Sequence, residues 1–216
     1  MIVGNPPVSY TSEAMQNSPK IIILGTKNKD KLRELRSLLK GSKVTVRSLS
    51  EFPGCPEAVE NGRTFEANAR KKARAYSLYT KSAALADDSG LMVHALNGRP
   101  GVYSARFAGK NCTYQDNNAK LLRLLKPKKN RRAKFVSCMA LYDNGRFIAC
   151  VKGECRGKIT AEARGKNGFG YDPVFIPAGS AKTFAEISSA AKNKISHRSN
   201  ALKKVKKDII RHLHAH

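Results

Sequence analysis

The chain has 216 residues, 41% of them hydrophobic, and carries 41 Lys and Arg against 16 Asp and Glu, a formal charge of +25. That length suits one domain, and no apolar stretch approaches the roughly 20 residues a membrane-spanning helix needs. The five cysteines, Cys55, Cys112, Cys138, Cys150 and Cys155, are odd in number and form no C-x-x-C pair, which argues against a disulfide framework or structural zinc and for a reducing, cytoplasmic setting.

Residues 1–19 are mostly polar, contain Pro6, Pro7 and Pro19 and lack the apolar core of a signal peptide. They are expected to form a flexible extension ahead of a domain over residues 20–216. Lys20 to Gly25 (KIIILG) reads as a buried strand. Leu32, Leu35, Leu38 and Leu39 then recur at helical spacing before Gly41. Val44 to Val46 suggests a second strand, and Thr64 opens a helix with Phe65, Ala69, Ala73 and Tyr76 on its apolar face. Ser82 to Ala86 reads as a buried strand ending at Asp87 and Asp88.

Thr113 to Lys126 is predicted helical. Ala133 to Tyr142 is predicted as a strand, Asp143-Asn144-Gly145 as a hairpin turn, and Arg146 to Lys152 as the returning strand. Gly165 to Pro177 reads as a glycine-rich loop holding aromatics, Thr183 to Glu186 carries a capping-box pattern, and His197 to Leu213 forms a last basic helix. Strands and helices mix around one hairpin, so the expectation is α/β with a mixed sheet.

Four stretches have chemical potential. Gly25 to Lys31 lies between strand and helix, where backbone N–H groups and the helix dipole favour an anion. Thr26 and Asn28 can add donors there, and Lys31 adds a charge in the first turn. It matches neither a Walker loop nor a dinucleotide fingerprint, and an ordinary capped helix start would look the same. Asp87-Asp88-Ser89-Gly90 places two carboxylates after a small apolar run. Such a group can hold Mg²⁺ with help from water and phosphates, or orient a water. Adjacent residues in an extended chain face opposite ways, so the two acids are expected to do different jobs, one facing the site and the other holding the turn. An Asx-turn explains one aspartate but not the pair. In Gly168-Phe169-Gly170-Tyr171-Asp172-Pro173, glycines flank a ring that could lie against a flat ligand, although a plain aromatic turn reads alike. Lys192 to Arg198 places His197 and Arg198 at a helix start, as donors to a planar ring or as a polar cap.

The charge invites an anionic partner. Its clusters, Lys126 to Lys134 and Lys203-Lys204 with Lys206-Lys207, are not interleaved with the aromatics on which single-strand binders stack bases. A basic nucleic-acid-binding protein without hydrolase activity is the alternative reading, and it leaves Asp87 and Asp88 unexplained.

In order, these stretches resemble the inosine-triphosphate pyrophosphatase family, the dITP/XTP pyrophosphatases. The matching motifs are T-x-N-x-x-K at Thr26 to Lys31, T-F-x-x-N-A-x-x-K-A at Thr64 to Ala73, and A-D-D-S-G-L at Ala86 to Leu91. G-x-x-S-A-R-F at Gly101 to Phe107, G-F-G-Y-D-P at Gly168 to Pro173 and I-S-H-R at Ile195 to Arg198 complete the set. The similar Maf-type pyrophosphatases usually read S-x-S-P-R-R in the first loop, which this chain does not.

The resemblance implies an elongated, twisted mixed sheet with flanking helices, two lobes around a central cleft, and a homodimer without need of nucleic acid. It implies Mg²⁺-dependent hydrolysis of ITP, dITP and XTP to the monophosphate and pyrophosphate. Asp88 would bind the metal and activate water, and Ser89 would contact substrate. Thr26, Asn28 and Lys31 would hold phosphates. Phe169 would stack on the base, with Gly170, Tyr171, Asp172, Lys192, His197 and Arg198 completing the pocket. Many relatives have Glu-Asn-Ala where this chain has Ala67-Asn68-Ala69. That glutamate looks like a second metal ligand, so either Glu66, one place earlier, reaches the ion or the site relies on Asp88, waters and phosphates; the expectation is that Glu66 substitutes.

Overall fold

The computed structural model describes residues 20–26 and 29–215. The expected extension over 1–19 and the expected phosphate contact at Asn28 lie outside them.

Six strands form one sheet in the order β2-β1-β3-β4-β5-β6. They are β1 (Lys20–Leu24), β2 (Val44–Ser48), β3 (Ala83–Val93), β4 (Arg132–Asp143), β5 (Arg146–Ile159) and β6 (Phe175–Pro177). The helices are α1 (Lys29–Leu39), α2 (Phe65–Thr80), α3 (Tyr114–Leu125), α4 (Ser189–Ile195) and α5 (His197–His214). β1 is parallel to β2 and β3, whereas β3 to β6 run antiparallel in succession. The sheet is therefore mixed, as expected.

β3 does not end at the aspartates. It continues to Val93, paired with β4 from Ala83↔Asp143 to Val93↔Ala133. What ends there is its other neighbour: β1 pairs with β3 only from Ile22↔Ala83 to Leu24↔Leu85. Farther along, that edge of β3 is taken up by the segment through Pro100 and Ser104: Leu91 N donates to Ser104 Oγ at 2.9 Å, and Met92 bridges to Pro100. The buried Ala83 to Ala86 run marks where β3 has strands on both sides. The polar residues after it sit where one side is lost.

Alternation along β3 sorts the packing. On one face Leu85 and Leu141 meet Leu35 and Leu39 of α1 and Ala201, Val205 and Ile209 of α5. On the other, Ala84, Ala86 and Ala140 meet Ala69 and Ala73 of α2, so small residues on both sides bring helix and strand close. Farther along the first face, Leu91, Val93, Phe135 and Ile159 pack on Leu121 and Leu125 of α3. Each fully buried Leu or Ile contributes on the order of 1.5–3 kcal/mol.

β5 runs seven residues beyond the predicted Lys152, to Ile159. Its inward positions there include Gly153 and Cys155, too weakly apolar to register as an alternating strand. The predicted loop over 165–177 closes with a 3₁₀ turn (Asp172–Val174) and β6. α4 went unforeseen. Its C-cap, Ser196, is also the N-cap of α5, where its hydroxyl accepts from Ser199 N. One residue thus sets the bend between the helices carrying Lys192 and Arg198. At the far end of α5, His212 Nε2 lies 2.8 Å from Asp143 Oδ2, at the end of β4.

α5 lies flush on β5 at Gly153, where a Cβ would stand 2.2 Å from His197 O and 2.3 Å from Ala201 N. Gly153→Ala is expected to push the helix outward and lower stability by about 1–3 kcal/mol. Thermal melting would register this as a drop of several degrees. An unchanged melt would show that the contact is readily relieved.

Candidate active site

Asp87 and Asp88 leave β3 on opposite faces. Neither holds a turn, since both lie within the strand. Asp87 is 6% exposed and accepts from Lys31 Nζ of α1 at 2.7 Å. Its other oxygen lies 3.6 Å from Arg198 Nε of α5, close enough for charge attraction but not for a hydrogen bond. Asp87 Oδ2 and Arg198 Nε have no hydrogen-bond partner among the described residues. Burial by itself would raise the Asp87 carboxyl, but Lys31 and Arg198 outweigh it and hold the group well below the usual carboxylate range.

Around this ion cluster lies a slot for a flat ring. Arg198 Nη2 donates to Ser89 Oγ at 3.4 Å, and its guanidinium stands 5.8 Å from the Phe169 ring centre. Lys192 Nζ donates to Asp172 Oδ2 at 2.5 Å and sits 4.7 Å from the same ring centre. Asp172 also accepts from Phe169 N at 2.9 Å. Gly168 (φ +76°) makes this turn possible, since a Cβ there would stand 2.1 Å from Asp172 Oδ2. Gly170 O accepts from Asn118 Nδ2, and the buried Tyr171 spends its hydroxyl on Ser104 O at 2.9 Å. Tyr171 therefore braces the slot. His197 stacks on Phe135, with ring centres 4.7 Å apart and 11° between planes. Burial, reinforced by Arg198 and Lys192, holds its imidazole well below its ordinary pKa, so it is neutral at pH 7. Its Nδ1 is buried without a partner. The cavity measures about 150 Å³.

The other face is acidic. Asp88 Oδ2 accepts from Asn68 Nδ2 at 2.9 Å, and Oδ1 accepts from Ser89 N at 2.9 Å. Burial raises the Asp88 carboxyl more than Asn68 and Lys72 lower it, and the charge of Glu60 raises it further. Glu60 is ion-paired with Lys72 at 3.1 Å. Glu66 pairs with Arg70 of the same helix at 2.8 Å and is 53% exposed. The carboxylate whose charge bears most on Asp88 is thus Glu60.

Of the expected residues, Ser89, Phe169, Gly170, Tyr171, Asp172, Lys192, His197 and Arg198 all line the one slot. Lys31, expected at a phosphate, is held by Asp87, and Thr26 follows the end of β1. Sequence reasoning gave no role to Lys72, although it is the lysine of the T-F-x-x-N-A-x-x-K-A stretch. Glu34 and Tyr114 carried no signal. Burial raises the Glu34 carboxyl despite the nearby charges of Arg198 and Lys192. Tyr114 is 53% exposed, with its ring 6.4 Å from Phe169 at the slot's rim.

The opposite shifts of the two aspartates predict opposite pH behaviour. Asp87, depressed, stabilises the fold above the ordinary carboxyl value of 3.8, and that contribution is lost as pH falls below it. Asp87→Asn should cost about 3–5 kcal/mol near neutrality by stranding Lys31 and Arg198, and its deficit should shrink in acid. Asp88, elevated, favours the fold most below 3.8 and loses that advantage as pH rises to its own raised value. Wild type minus Asp88→Asn should therefore decline over that interval. Melting temperatures of both variants between pH 3 and 8 check this, and parallel slopes would contradict it.

Residues 22–208 match the profile of the Ham1 family. A dITP/XTP pyrophosphatase of Desulforamulus reducens is 49% identical over 197 residues, covering 90% of this chain and 98% of the relative. One of Desulfotalea psychrophila is 47% identical over 186 residues, covering 86% and 83%. The Staphylococcus aureus Ham1 protein superposes with a TM-score of 0.81 at 37% identity, covering 87% of this chain and 96% of that one.

Proposed function

The chain belongs to the Ham1 family, and on that premise we propose that it hydrolyses deaminated purine nucleoside triphosphates, ITP, dITP and XTP, to the monophosphate and pyrophosphate. One observation carries the reading beyond relatedness. β3 loses its parallel partner at Leu85, and the residues that follow carry a slot of flat-ring size on one face and a hydrogen-bonded carboxylate on the other, which supports the reading. A nucleotide laid across those residues presents its ring to Phe169 and its phosphates toward Asp88 and Lys72.

The raised carboxyl of Asp88 is a stronger base than an ordinary aspartate, as suits a group that orients a water and takes its proton. Asn68 and Ser89 N fix its two oxygens. The water oxygen attacks the α-phosphorus, and the bond to the bridging oxygen of the β-phosphate breaks in line. Lys72, whose charge acts on Asp88, and Lys31 would offset the negative charge that accumulates on the leaving pyrophosphate. Asp87 keeps Lys31 and Arg198 at a set distance and leaves the cluster one positive charge in surplus.

A divalent cation fits this centre. Asp88 and Glu60 are hard oxygen donors, and the Glu60 charge acts on Asp88. Mg²⁺ needs only one or two carboxylates, with water and phosphate completing its shell. Asp88 and Glu60 would hold it, and it would neutralise phosphate charge. We also propose that the protein is a cytoplasmic homodimer. All five cysteines are free, which suits a reducing compartment. No described helix is long and apolar enough to cross a membrane.

Selectivity follows from donors. Arg198 is buried and its Nε lacks a hydrogen-bond partner, so a 6-oxo group satisfies it and the 6-amino group of adenine does not. An unpaired buried donor costs on the order of 1–3 kcal/mol, more if charged.

The test is turnover of ITP, dITP, XTP, GTP and ATP with Mg²⁺, scoring pyrophosphate against orthophosphate. The deaminated purines should lead, with pyrophosphate as product. Release of orthophosphate alone, or no turnover, would discard the reading. Arg198→Ala should narrow the ITP over ATP ratio about tenfold, and Asp88→Asn should bind nucleotide without turning it over. Glu60→Gln should weaken Mg²⁺ activation more than Glu66→Gln; the reverse order would return the second ligand to Glu66.

A further inference from the structure

The face of the sheet that carries Asp88 is covered by α2 only along its first half. Farther on, β4 and β5 set like charges directly opposite one another: Arg132 faces Lys158, and Lys134 faces Arg156. Directly opposed side chains on a sheet have Cβ atoms about 4.5–5.5 Å apart, and like charges so placed repel. One carboxylate answers them. Glu154 Oε1 lies 2.9 Å from Lys134 Nζ and 3.2 Å from Lys152 Nζ. Among the described residues no carboxylate lies within ion-pair distance of Arg132, Arg156 or Lys158.

In front of these cations is a cavity of about 480 Å³. The Met92 side chain and the backbone at Ala133 and Gly157 form its floor, and the turn through His94, Asn97 and Gly98 lies alongside. That turn is well fixed. Gly98 N donates to Val93 O at 3.0 Å, Asn97 lies in the left-handed region at φ 53°, and Asn130 Nδ2 lies 3.1 Å from His94 Nδ1. Met92 is four residues beyond Asp88 along β3, about 13 Å at strand rise. The strip between them is covered at Gly90, where a Cβ would meet Ser104 Oγ at 2.3 Å and Gly101 O at 2.7 Å. The cavity is thus separate from both the slot and Asp88.

Arg132 and Arg156, cations without a carboxylate partner among the described residues, line a cavity of small-ligand size and so favour an anion there. We propose that this cavity is a second, non-catalytic site for a nucleotide-sized phosphate ester, its phosphates on Arg132, Lys134 and Arg156 and its flat, less polar part on the Met92–Ala133–Gly157 floor. A volume of about 480 Å³ suits a small ligand.

ADP is the probe, titrated calorimetrically into the full chain at low salt without metal. Wild type should bind ADP with an affinity that falls as salt rises. Arg132→Ser/Arg156→Ser, which removes one cation from each opposed pair, should weaken it about tenfold or more while leaving ITP turnover within about twofold. Arg156→Glu, which places a carboxylate opposite Lys134, should abolish the site and raise the melting temperature of the ligand-free protein. Equal ADP affinity in wild type and double variant would overturn the proposal. So would tight binding of a 20-base-pair duplex that ADP does not displace, which would make the face a polynucleotide surface. A change of oligomeric state in Arg156→Glu with ADP binding intact would assign it to a subunit contact and equally overturn it. The binding readout stands whether or not the protein hydrolyses ITP.

Discussion

The buried carboxylate of Asp87, set between Lys31 of α1 and Arg198 of α5, is the interaction on which the arrangement of the site depends. Burying one anion with two cations is not a route to high stability, because desolvation consumes most of the Coulombic gain. What it confers is position. Three elements far apart in sequence meet at one carboxyl group: β3 supplies Asp87, α1 brings Lys31 and α5 brings Arg198. The cluster also leaves Asp87 Oδ2 and Arg198 Nε without hydrogen bonds, and His197 Nδ1 nearby is likewise unsatisfied. Unpaired buried polar atoms are costly, and their concentration in one small volume marks where a ligand completes the fold.

β3 shows how burial and chemistry share one strand. Its first residues are small and apolar because strands and helices enclose them on every side. The polarity begins where β1 stops. The same period-two alternation that elsewhere separates core from solvent here separates two chemical environments. One face depresses a carboxyl group and the adjoining face elevates its neighbour. Adjacent identical side chains thus acquire opposite properties from pleat geometry and from their partners.

Much of this was legible in the sequence. The apolar run of β1, the leucine spacing of α1, the Asn-Gly turn between β4 and β5 and the capping pattern at Thr183 are local signals, and each marks an element that formed. The six ordered motifs gave the family and most of the slot. What escaped depended on distant partners. The continuation of β3 past Asp88 requires β4, and polar residues in mid-strand read locally as a terminus. The later half of β5 was hidden because Gly153 is inward-facing for close approach to α5, not for apolar bulk. Glu60 and Lys72 could not be placed beside Asp88 without knowing how α2 lies on the sheet. The opposed cations of β4 and β5 were visible only as net charge until the register paired them.

α5 is fastened at both ends, flush against Gly153 near its start and by His212 to Asp143 near its finish. It is therefore held as one beam, with His197 and Arg198 in the slot at the near end and its far anchor beside the β4–β5 hairpin. Drift at that outlying hairpin would tilt the beam and reshape the slot wall that these two side chains form. The slot is thus sensitive to substitutions at its periphery.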